Sequence, residues 1–141
     1  MVQAIVHVKW IEGGLFTGID SRGTPLTIGK SAGHEPAWLG VKASDLLLLG
    51  VAGCSGHDVA EILHKQRQAI TSLEINVTGE QDADPPWKFN TIAIEYVIRG
   101  RQLNETLIQR AIDLSENKYC SVLATVRPGA QIKTQYRIEE A

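Results

Sequence analysis

The chain has 141 residues, of which 43% are hydrophobic and 21% charged, with a net charge of −2. That suits one soluble globular domain spanning residues 1–141, long enough to bury a core. The near-neutral balance, with no Lys/Arg run, argues against a nucleic-acid partner.

The N-terminus from Met1 to Val6 has neither the basic segment nor the small-residue cleavage site of a secretory leader. The longest apolar run, Leu46 to Ala52, is broken by Gly50 and is too short to span a membrane. A cytoplasmic setting is therefore expected. In a reducing compartment the two cysteines, Cys54 and Cys120, are candidates for catalytic, redox, metal-binding or simply buried thiols rather than a structural disulfide.

Val2 to Ile11 is rich in β-branched residues and predicts a first strand. The turn Glu12-Gly13-Gly14 leads to a second at Leu15–Ile19. The turn Asp20–Gly23 leads to a third at Thr24–Ile28, completing an antiparallel meander. Gly29 to Lys42 is irregular, and His34 and Trp38 within it are candidates for lining a pocket.

Ser44 predicts a helix N-cap, with Asp45 in the first turn where the dipole favours a negative charge. The helix should run from Asp45 to about Gln68. Its first half is apolar on nearly every face, which implies burial all round. Polar residues return from Asp58 onward.

Strands are expected at Ile70–Glu80 and Phe89–Arg99, joined by the Pro-containing stretch Gln81–Lys88. Ile92, Ile94, Tyr96 and Ile98 should share one face. Asn104 predicts the cap of a second helix, Glu105–Asn117, striped by Leu107, Ile108, Ala111, Ile112 and Leu114. After Cys120 a short turn or helix leads to Arg127-Pro128-Gly129, and Gln131–Ile138 is the last strand. The order β-β-β-α-β-β-α-β places the chain in the α+β class.

Gly50, Gly53 and Gly56 recur every three residues around Cys54, each at a cost of about 0.5–1 kcal/mol in a helix. Close packing explains them, as does access to the Cys54 thiol. A helix so apolar also suggests pairing with its twin in a dimer.

The segment Asp45-Leu-Leu-Leu-Leu-Gly-Val-Ala-Gly-Cys54-Ser-Gly-His-Asp58, taken with Glu116-Asn-Lys-Tyr-Cys120-Ser-Val-Leu, resembles the OsmC/Ohr family. These are the osmotically induced and organic hydroperoxide resistance proteins. The resemblance extends over nearly the whole chain and is strongest to the general OsmC-like branch. It implies antiparallel sheets wrapped around a long central helix in an intertwined homodimer. It also implies reduction of a small hydroperoxide in oxidative stress defence, with an external dithiol as reductant.

By that resemblance Cys54 attacks the O–O bond and Cys120 resolves the sulfenic acid to a disulfide. The Ohr branch sets a glutamate ten residues before the first cysteine and an arginine in the first strand-turn region. Here Ser44 occupies the former position, with Asp45 next to it. The turn Glu12-Gly13-Gly14 has no arginine, and Arg22 in the following turn is the nearest substitute. Asp45 and Arg22 are therefore the candidate helpers of the thiol.

His57 and Asp58, at i+3 and i+4 from Cys54, lie near its face of the helix. Cys54, His57, Asp58 and Cys120 could supply four metal ligands, but no CxxC or HxxxH pair is present, so neither a metal nor an organic cofactor is expected. His7 and His64 are expected to be structural or solvated, Glu116 and Lys118 exposed, Tyr119 either over the thiol pocket or packed in the core, and Trp10 and Trp87 packed in the core or at its edge. The alternative function is a non-enzymatic protein binding a small ligand, with Cys54 and Cys120 as structural groups.

Overall fold

The computed structural model describes residues 2–33 and 35–141. It is a mixed α+β structure with two three-stranded sheets and one long helix. Its residues cluster into two units, 1–47 and 48–141.

The first unit is the predicted meander: β1 (His7–Glu12), β2 (Gly14–Ile19) and β3 (Pro25–Lys30), antiparallel throughout. β1 begins later than its β-branched run predicts. His7 already pairs with Ile19 at the end of β2, so among the described residues Val2 to Val6 have no partner strand. Gly29 takes φ +91, and a Cβ there would lie 2.0 Å from the Gly14 carbonyl oxygen, so only glycine fits the β2–β3 ladder at that point. Trp38 stands beneath Lys30, whose Nζ is 5.4 Å from the ring centroid. His34, its predicted companion in a pocket, lies outside the described residues.

Helix α1 (Ala43–Lys65) begins before Ser44, which is therefore in its first turn rather than at its cap. It ends before Gln68 because Arg67 turns left-handed, at φ 58, and the Gln68 amide bonds back to the Leu63 carbonyl. Within the second unit the helix buries a single i,i+4 stripe, Val51, Ser55, Val59 and Leu63. The expectation of burial on every side does not hold in the single chain, where Leu49 is 56% exposed. At 23 residues and a mean hydropathy of 1.4, α1 has the length and composition to cross a membrane, although the apolar run inside it is short. The stripe belongs to the protein core, yet only 22% of that apolar window is buried in the single chain.

β4 (Ala69–Gln81) and β5 (Phe89–Arg101) form a long antiparallel pair. Ile92, Ile94, Tyr96 and Ile98 all face inward, as their alternation predicts, none more than 1% exposed. β6 (Gln131–Glu140) lies on the other side of β5 and runs parallel to it, so the expected antiparallel pattern fails at this one ladder. The cause is the helical crossover between β5 and β6, which returns the chain to the end where β5 began.

That crossover starts with α2 (Glu105–Leu114), where the Asn104 side chain accepts from the Leu107 amide at 3.2 Å. Ile108, Ala111 and Ile112 form its buried stripe. The predicted helix to Asn117 instead widens into a π-helical turn, Ser115–Tyr119, closed by the Cys120 amide on the Ser115 carbonyl at 2.8 Å. α3 (Ser121–Val126) follows.

Candidate thiol site

Cys54 and Asp58 each precede a residue of the buried α1 stripe, so both sit at its edge and are half-buried. The π-helical turn delivers Cys120 to the first turn of α3. There Cys120 is 3% exposed, and its sulfur accepts from the Leu123 amide at 3.4 Å, acting as the helix cap. The two sulfurs and a carboxylate oxygen of Asp58 lie within 4.8 Å of one another. Both thiols are free, and Cys54 Sγ is 4.0 Å from Ser121 Oγ.

Burial pushes the Cys120 thiol up from 9.0 to about 11. The Leu123 amide opposes the rise, while the neighbouring Cys54 sulfur adds to it. Cys120 therefore holds its proton at neutral pH. A cavity of about 280 Å³ adjoins it, lined also by Glu116, Lys118 and Arg127.

Beneath the thiols runs a buried polar network. The Ser115 hydroxyl donates to Asp58 Oδ2 at 3.1 Å and lies 3.0 Å from Ser55 Oγ. Ser55 Oγ is 2.5 Å from the Tyr96 hydroxyl, which donates to Glu116 Oε2 at 2.8 Å. Thr134 donates to the other Glu116 oxygen at 2.7 Å. Tyr96 is raised far above the ordinary phenol range, first by burial; Ser55 opposes the shift and the nearby Glu116 adds to it.

Residues 33–135 match the family described as OsmC-like protein. The chain belongs to the OsmC-like family. It is 31% identical over 135 residues to Protein YhfA of Escherichia coli strain K12, covering 96% of this chain and 98% of that one. A crystal structure of a hypothetical protein from Aquifex aeolicus VF5 superposes with a TM-score of 0.88 at 30% identity, covering 100% and 99% of the two chains. The organic hydroperoxide resistance protein OhrB of Bacillus subtilis shares the OsmC-like fold at a TM-score of 0.63 and 17% identity, covering 96% and 98%.

Of the residues singled out in this OsmC-like sequence, the structure brings Cys54, Cys120 and Asp58 together. Asp45 is in the first turn of α1 and Arg22 in the exposed β2–β3 turn, where its amide bonds Asp20 Oδ1 at 2.8 Å; both belong to the first unit. His57 turns outward to Glu61, with Nε2 3.6 Å from the carboxylate, so the four-ligand set is not assembled. Two sulfurs and one oxygen are one ligand short of a closed tetrahedral zinc site.

Glu116 is buried rather than exposed, because the π-helical turn points it at Tyr96 and Thr134. Tyr119 is 54% exposed beneath Lys118, so it does not pack into the core. Trp10 and Trp87 are exposed as well. Of the three glycines, only Gly56 is packed too closely for a side chain, since a Cβ would meet Ile75 at 2.6 Å; Gly53 faces open space.

Ser55, Ser115 and Tyr96 were not singled out as functional from the sequence. A serine interrupting an apolar i,i+4 stripe and a tyrosine among inward-facing isoleucines are the signals that mark them, because each buried hydroxyl needs a partner.

Proposed function

We propose that the protein reduces hydroperoxides through a thiol cycle. Cys54 attacks the O–O bond, becomes a sulfenic acid and releases an alcohol or water. Cys120 then condenses with it to a disulfide, and an external dithiol restores both thiols. The observation that carries this reading is the pairing of two free sulfurs within 4.8 Å, one half-exposed and one buried. The half-exposed sulfur is the one a substrate can reach. The buried one keeps its proton until a sulfenic acid is formed beside it.

Arg22 and Asp45 are the proposed helpers, with Arg22 supplied across a homodimer as the cation favouring the thiolate. The exposed apolar face of α1, including Leu47 and Leu49, is the surface proposed to pair with its twin. The cycle suits the cytoplasm, where dithiol reductants keep both cysteines reduced.

The test incubates reduced protein with cumene hydroperoxide or hydrogen peroxide and a dithiol, and follows peroxide loss. Cys54→Ser should abolish turnover. Cys120→Ser should trap the sulfenic acid without a disulfide. No turnover and no peroxide-induced disulfide in the unaltered protein would sink the proposal.

A second reading rests on the first unit, where a cavity of about 420 Å³ is lined mainly by apolar residues, among them Val6, Val8, Ile19, Leu26 and Leu46. It makes the protein a carrier of a small hydrophobic molecule. Binding of such a probe, unchanged in Cys54→Ser and without peroxide turnover, would favour it.

A further inference from the structure

The hydroxyls between Asp58 and Glu116 are one proton short. Asp58, Ser115, Ser55, Tyr96 and Glu116 form a chain of four contacts, at 3.1, 3.0, 2.5 and 2.8 Å. Each contact needs a proton between its oxygens. Each hydroxyl brings one and an ionised carboxylate brings none. With both carboxylates ionised, Ser115 directs its proton to Asp58 and Tyr96 directs its proton to Glu116. Ser55 can then fill only one of its two contacts, and the other would hold two oxygens together with nothing between them.

Ser55, Ser115 and Tyr96 are each 0% exposed, so the missing proton must come from within the chain itself. The Ser55 carbonyl, 3.4 Å from Ser115 Oγ, offers only another acceptor. Thr134 fills the second Glu116 oxygen with its own proton. Burial keeps the phenolic proton on Tyr96, so it counts as a single donor.

We infer that Asp58 and Glu116 share one proton through Ser115, Ser55 and Tyr96, and that this relay makes Asp58 the acid–base group of the Cys54–Cys120 pair. A proton on Asp58 orients every hydroxyl toward Glu116. A proton on Glu116 reverses them all and leaves Asp58 ionised. Asp58 faces both sulfurs and the Ser115 hydroxyl. Glu116 faces Tyr96 and Thr134, and it lines the cavity that also holds Lys118 and Arg127; the Arg127 guanidinium donates to the Glu116 backbone carbonyl at 3.0 Å.

The chemical role rests on the peroxide reading above. Once the hydroperoxide has oxidised Cys54 to its sulfenic acid, the Cys120 sulfur attacks the Cys54 sulfur. The S–S bond forms as the S–O bond breaks. The Cys120 proton passes to Asp58, and a proton from Asp58 completes the departing hydroxide as water. The two electrons lost by the thiols have gone to the peroxide O–O bond, and no proton is gained or lost overall. With the relay proton resting on Glu116, Asp58 is free to act as base.

The shared proton is tested without peroxide, by infrared spectroscopy of the reduced protein at neutral pH. A protonated-carboxyl band is expected, and it should vanish in Asp58→Asn, Glu116→Gln and Tyr96→Phe. An amide at either end donates the missing hydrogen, and loss of the phenol removes two contacts. Absence of the band in the unaltered protein, or its survival in the folded variants, would overturn the shared proton. The three variants act at different points, so one that misfolds leaves the others to decide.

The second arm adds one equivalent of hydroperoxide and follows disulfide formation. Asp58→Asn should slow it by about 100-fold, the lower end of general acid–base effects. An unchanged rate would overturn the catalytic role of Asp58. If the unaltered protein forms neither sulfenic acid nor disulfide, the peroxide reading fails, while the infrared result still decides the shared proton.

Discussion

The division of labour between the two cysteines can be checked by making Cys120 the only thiol. Cys54→Ser replaces the neighbouring sulfur with a hydroxyl, which removes the part of the Cys120 shift that Cys54 contributes. Burial, the largest cause, stays. The titration of Cys120 in this variant should therefore fall between 9.0 and about 11. The thiolate is the reactive form, so a raised value lowers reactivity. A thiol titrating at 9.0 is about 1% ionised at pH 7, and one at 11 about 0.01%, a ratio on the order of 100 in alkylation rate before any steric factor.

The assay measures iodoacetamide alkylation of Cys54→Ser from pH 7 to pH 10.5, native and in denaturant. At neutral pH the native rate should be at least about 10-fold below the unfolded one, and it should keep climbing beyond the pH where the unfolded chain levels off. Labelling as fast in the native state as in denaturant would refute the argument. The same shift sets a stability trend. The folded value lies above the unfolded one, so the contribution is complete below 9.0 and is lost as pH rises toward about 11.

Three further expectations concern the frame around the site. Gly53 faces open space in the single chain, so Gly53→Ala should stabilise an isolated monomer by about 0.5–1 kcal/mol; if α1 packs against its twin, the added methyl should instead weaken the dimer in analytical ultracentrifugation. Asn104→Ala removes the α2 cap and should cost about 1 kcal/mol, read as a melting temperature lower by about 2–4 °C. Leu63→Ala, at a fully buried position on α1, should cost about 2–5 kcal/mol in chemical denaturation.

Much of the fold was legible because its signals are local. Alternation gave β5 its inward face, and Asn104 announced α2 by its capping chemistry. What lay beyond reach depends on pairing and on turn geometry. Nothing in Gln131 to Ile138 says whether its partner runs parallel or antiparallel; the crossover before it decides. The hydrophobicity of α1 signalled burial without saying whether the covering surface belongs to the same chain.

At the site, the two cysteines stood out by their sequence settings, and Asp58 by its spacing from Cys54. Glu116 was misplaced because helical periodicity carried α2 on to Asn117. The π-helical turn adds a residue per turn and brings Ser115 and Glu116 to the inner side.

The sulfur of Cys120 already has a structural occupation, since it accepts the Leu123 amide and so holds the first turn of α3. A sulfur drawn toward Cys54 must give up some of that alignment. Oxidation would then be felt along α3 as a loosened N-terminus, and the Leu123 amide becomes a built-in reporter. Its hydrogen exchange should quicken when the disulfide forms and slow again on reduction, allowing the state of the thiol pair to be followed without labelling either cysteine.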